Sequence, residues 1–227
     1  MKSQFLFDSA FPNGGYSHSF GFESYISWGD LKDISSYEKW LQSYMLDVFA
    51  ESDGAIYSIA HALKDKRLSL LKLAKAANAS ISSFENRKAQ VEMARSTLNN
   101  TEFMHDENIM WYKNAAFKWD EFANPAIVFA LLSHSDFLEN YAYATLRTLT
   151  INATRAVPLA YKKSNELMFL NQVLAKKTAQ KSREIAKDSI DNGFFSLNSN
   201  NRIFATHHEL DLAMFAHERL DFRLFMS

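Results

Sequence analysis

Apolar residues recur at i, i+3 and i+4 along most of the chain, and sustained period-two alternation is absent, so the pattern predicts helices throughout. The best-marked stripe is Tyr37, Trp40, Leu41, Tyr44, Met45, Val48 and Phe49, which Ser35 and Glu38 start as a capping box. Ile56, Ile59, Ala60 and Leu63 extend a second stripe, and Leu68 to Ala77 forms a third. Ser82 with Glu85 predicts a helix start, the helix running to about Asn99 with Arg87, Lys88 and Arg95 on its outer face. Thr101 to Lys118 reads as helical with a break. Asn124 followed by Pro125 supplies an N-cap and a proline at N1 for a helix apolar on all sides, predicted to be central. Asp136 and Glu139 open a helix through Tyr141, Tyr143, Leu146 and Leu149 that ends near Pro158. A long helix from about Ser164 to Ile190 presents a basic face of Lys176, Lys177, Lys181, Arg183 and Lys187, with Gly193 as its stop. A loop at Asn198 to Asn201 leads to a last helix from Glu209 to about Leu220.

These segments predict an all-α fold, a single compact helical bundle of roughly eight to ten helices spanning residues 1–227 as one domain. Hydrophobic residues make up 47% of the 227, enough for a sizeable core. The net charge of −1 is well mixed, so charge makes no case for nucleic acid or an anionic membrane surface. Without cysteine, disulfides, thiolate catalysis and cysteine metal sites are excluded. The longest apolar run, Ala126 to Leu132, is far short of a membrane span, and Asp8 interrupts Phe5, Leu6 and Phe7 too early for a signal-peptide core. A cytoplasmic protein is expected.

Two stretches do not read as ordinary helix packing. Residues 11–25 hold three of the six glycines and one of the three prolines, with three Phe, two Tyr, His18 and Glu23. Pro12-Asn13-Gly14-Gly15 predicts a tight turn. Ser17 or Ser19 would then cap a helix starting at Phe20, in which Gly21 costs about 1 kcal/mol relative to alanine and so points to close approach by another backbone. That backbone can belong to this chain or to a partner, and an anion cradled by the Gly-Gly turn, with His18 as acid or base, is a third reading. The second stretch is residues 207–227, which finish on Phe222, Leu224, Phe225 and Met226. Ordering such a tail costs about 1 to 2 kcal/mol per residue in backbone entropy, so it needs a preformed surface, in this chain or another. His207, His208, Glu209 and Asp211 cluster in sequence, but no histidine pair stands at i, i+4 and no GxSxG elbow occurs. No catalytic constellation, cofactor or metal site is expected. A direct metal carrier using His207, His208 and His217 is the remaining alternative.

Read together, the two stretches resemble the urease accessory protein F (UreF) family. The resemblance rests on residues 11–25, on His217-Glu218 followed by Arg223-Leu224-Phe225-Met226-Ser227, on Asn124-Pro125, and on Arg155-Ala156-Val157-Pro158-Leu159. Where the family usually carries glycine this chain has Ala130, and Ala160-Tyr161 and Ser164-Asn165 replace its Gly-Gln patterns. The resemblance implies a non-enzymatic, all-helical chaperone for nickel insertion into apo-urease, one that dimerises, binds the accessory protein UreD (UreH in some organisms) and recruits and modulates the GTPase UreG. It also implies roles for particular residues. Pro12, Gly14, Gly15, Tyr16, His18, Gly21 and Glu23, with His217, Glu218, Arg223, Leu224, Phe225, Met226 and Ser227, become partner-binding residues. Tyr143 becomes a dimer contact, and Pro125, Arg155 and Pro158 structural positions.

Overall fold

Asn124 and Pro125 open the helix around which the others are arranged. In the computed structural model, which describes residues 2–157, 159–191, 207–221 and 223–226, the Asn124 side chain accepts the Ile127 N–H at 3.1 Å. Every residue of Pro125–Leu132 except Leu131 is buried. Among the described residues there are twelve α-helices and no strand: α1 (Lys2–Leu6), α2 (Phe22–Ser27), α3 (Ile34–Ser43), α4 (Asp53–Ala62), α5 (Arg67–Ser80), α6 (Phe84–Asn100), α7 (Glu107–Lys118), α8 (Pro125–Leu132), α9 (Leu138–Ala156), α10 (Tyr161–Leu170), α11 (Gln172–Asp191) and α12 (His208–His217). Ten of them have eight residues or more, in line with the expected all-α bundle; α1 and α2 are short additions.

Helices α4 and α6 pack directly on α8, and α11 lies across both α4 and α9. The aromatic centre joins these layers: Tyr141 of α9 meets Phe129 of α8, Phe49 and Tyr57 with ring centroids 5.1 to 5.9 Å apart. Gly54 makes the α4–α11 crossing possible, because a Cβ there would stand 2.2 Å from Ser182 Oγ.

Several expected boundaries shift. The start of α3 is Asp33 with Ser36, not Ser35 with Glu38: Asp33 accepts the Ser36 N–H at 2.8 Å and Ser36 Oγ accepts the Asp33 N–H at 3.1 Å. The stripe to Phe49 is not one α-helix, since Tyr44–Phe49 widens into a π-helical turn that keeps Tyr44, Met45 and Phe49 buried. Ser83, not Ser82, caps α6, accepting the Asn86 N–H, and Arg87 and Arg95 turn inward to backbone carbonyls of Ile81 and Ala116. The long helix expected from Ser164 starts at Tyr161 and breaks at Asn171 into α10 and α11. Its basic face is partly used within the fold, Lys181 pairing with Glu51 at 2.9 Å and Arg183 with Asp136 at 2.7 Å. α12 ends at His217, short of Leu220. Gly193, the loop at Asn198 to Asn201, Pro158 and Ser227 lie outside the described residues.

Candidate functional site

Both unusual stretches meet at one place. The turn forms as its residues dictate: Asn13 Oδ1 accepts the Gly15 N–H at 2.9 Å, Gly14 takes φ +86°, and Gly15–Ser17 makes one 3₁₀ turn. That hydrogen bond occupies the Gly15 donor an anion would use. The Pro12 carbonyl is held on α6 by Ser96 Oγ at 2.8 Å and Asn100 Nδ2 at 3.1 Å, and the His18 carbonyl on α9 by Asn152 Nδ2 at 3.0 Å. The His18 ring is buried, which lowers its pKa, Glu92 opposing.

Gly21 is not inside a helix capped by Ser17 or Ser19. It is itself the N-cap of α2, at φ +81°, with no side-chain cap. A Cβ at Gly21 would come within 3.2 Å of Ala213 Cβ and the Met214 nitrogen, so the closely approaching backbone is α12 of the same chain. Ser24 Oγ ties the two helices by donating to the Ala213 carbonyl at 2.5 Å.

Glu23 and His217 are the hub. His217 is fully buried between two carboxylates, with Nε2 2.9 Å from Glu23 and Nδ1 2.8 Å from Glu85. Both ring nitrogens thus stand against carboxylate oxygens. Arg223 completes the row, donating to Glu85 at 2.6 Å. The remaining capacity of Glu23 receives the tail: the N–H groups of Leu224 and Phe225 donate to it at 2.7 and 3.1 Å, and the Met226 N–H donates to the Ser17 carbonyl at 2.7 Å. Phe225 is buried beneath the Arg155 guanidinium, 4.9 Å from the ring centroid, while Leu224 and Met226 stay exposed.

The structure therefore gathers Pro12, Gly14, Gly15, Gly21, Glu23, His217, Arg223, Leu224, Phe225 and Met226 into one region, with the Tyr16 backbone in its turn and Glu218 accepting from Ser83 Oγ at 3.3 Å. Glu23 and His18, partner-binding positions by the resemblance, are both buried, Glu23 beneath the tail. Tyr143 lies elsewhere, half-buried against the core. His207, His208 and His217 are not drawn together, and among the described residues no three His, Asp or Glu side chains group as metal ligands. Glu85 escaped the sequence reading as a site residue, its position being absorbed into a capping box; Asn152 carried no signal at all.

The early turn motif of this all-helical bundle is thus clasped by the chain's own late tail, with Leu224 and Met226 left outward beside it. The UreF family model matches residues 31–169, and the chain belongs to the UreF family. It is 28% identical to the urease accessory protein UreF of Streptococcus salivarius over 98% of this chain and 92% of that one. It is 29% identical to UreF of Corynebacterium efficiens and 26% identical to UreF of Lachnoclostridium phytofermentans, over 98% of this chain and 94% and 96% of theirs. Among the described residues no helix is long and apolar enough to cross a membrane.

Proposed function

We propose that this chain is a non-enzymatic scaffold in urease maturation, presenting the clasped motif and tail to the accessory protein UreD/UreH and, with it, recruiting UreG and modulating its GTP hydrolysis for nickel insertion into apo-urease. The carrying observation is the Glu23–His217–Glu85–Arg223 row, which orders a tail that leaves Leu224 and Met226 exposed beside the turn. Leu224 and Met226, expected to bind a partner, would be offered on a preorganised tail, which lowers the ordering cost of association. A homodimer is part of the same reading. Tyr161, Phe169, Leu170 and Val173 are exposed around the α10–α11 break, and α10 packs on the helix that carries Tyr143. Co-expression with the urease operon tests the reading. The tagged chain should retain UreD/UreH, UreG and apo-urease, and deletion of residues 222–227 should leave a helical protein that loses them. Retention of the complex after that deletion would overturn the tail's role.

A further inference from the structure

Asp53 is the first residue of α4. Among the described residues no hydrogen bond or ion pair reaches its carboxylate. It is part-exposed and lines two partly open chambers of about 60 and 90 Å³, whose walls share Phe20, Tyr44, Asp53 and Gln90. Either volume exceeds what one water requires. Gln90 is itself 7% exposed, and its Oε1 has no donor; Asn86 Oδ1, on the wall of the larger chamber, has none either. Buried oxygens of this kind are normally satisfied. Phe20 adds a third, separate sign. It is the one non-glycine described residue with positive φ, at +52°, a conformation that costs a bulky residue on the order of 1–3 kcal/mol, and such strain gathers at ligand clamps. Its ring stands 6.5 Å from that of Tyr44.

We propose that the waist between the two chambers binds one weakly hydrated monovalent cation, K⁺ or NH₄⁺, through the Asp53 carboxylate and Gln90 Oε1. The charge follows from the donor set: a single carboxylate neutralises one positive charge, and a divalent ion would stay half-balanced in the interior. Both donors are oxygens, which suit an alkali cation and can equally accept the N–H groups of NH₄⁺. Tyr44, Tyr141 and Phe20 in the walls favour an ion that sheds water easily and tolerates aromatic faces. A cation there would hold Phe20 in its strained position and so brace the turn motif from beneath.

Thermal unfolding of the full chain at constant ionic strength tests this, with tetramethylammonium chloride as reference and KCl, NH₄Cl and LiCl as replacements. K⁺ or NH₄⁺ is expected to raise Tm saturably, by about 3–6 °C at tenfold the dissociation constant, with Li⁺ weaker. Asp53→Asn should abolish the ion-specific rise, and Gln90→Leu should weaken it if Asp53→Asn does not fold. Equal Tm in all four salts, or an ion-specific rise that survives both substitutions, overturns the proposal.

Discussion

Replacing Glu23 with alanine should detach the tail while leaving the bundle folded. Three groups lose their partner at once: His217 Nε2 at 2.9 Å, Leu224 N–H at 2.7 Å and Phe225 N–H at 3.1 Å. Hydrogen bonds to a charged group contribute about 1.5–3 kcal/mol each, but these three act as a unit and do not sum. Removing one member of a buried pair costs about 3–5 kcal/mol, because what remains is buried without its partner. Once the tail has left, no further loss is possible, so its docking free energy sets the ceiling. The lower figure corresponds to a rise of about 100-fold in exchange of the tail amides. Native-state hydrogen exchange read by mass spectrometry measures it, comparing peptides over residues 208–226 with peptides over α8. Tail peptides should exchange roughly 100-fold faster and α8 peptides unchanged, while Glu23→Gln, which keeps a carbonyl acceptor without the charge, falls between. If the Leu224 and Phe225 amides exchange at the wild-type rate in Glu23→Ala, the hub is not what orders the tail.

Other outcomes follow from single positions. Gly54→Ala should destabilise by about 1–3 kcal/mol in chemical denaturation, since the new methyl meets Ser182 and Phe49 at the α4–α11 crossing. Asn124→Ala removes the cap of the central helix and should cost about 1 kcal/mol by the same measurement. Burial raises the Asp53 pKa to about 6, so the folded state holds a proton that the unfolded chain releases near 4. Stability should therefore fall as pH rises from about 4 to 6, and with tetramethylammonium as the only cation Asp53→Asn should exceed wild type by up to about 3 kcal/mol at neutral pH and match it near pH 4. Wild type and variant tracking each other across that window would refute the assignment.

Much of this was readable from residues alone where local chemistry decides the outcome. Asn124-Pro125 and the apolar run after it marked the central helix because cap, proline and burial pattern agree there. The starts of α3 and α6 were misplaced by one or two residues because serines and acids stand side by side, and only backbone geometry selects which of them caps. The break at Asn171 left no mark, since neither glycine nor proline accompanies it. The conjunction of the two odd stretches was legible as a resemblance, but its wiring was not. Glu85 sits three residues after a serine, which reads as a local cap, yet its carboxylate serves His217 and Arg223 more than 130 residues away.

That separation has a consequence during synthesis. Glu23 leaves the ribosome early, whereas its partners lie 194, 201 and 202 residues later. At elongation rates of about 5–20 residues per second, the motif spends roughly 10 to 40 s with its carboxylate in water and Gly21 without the helix it is shaped to receive. α8 and its neighbours are complete well before then. The chain is thus made in an order that assembles the bundle first and the clasp last, so a truncated product lacks the clasp even when its core has formed.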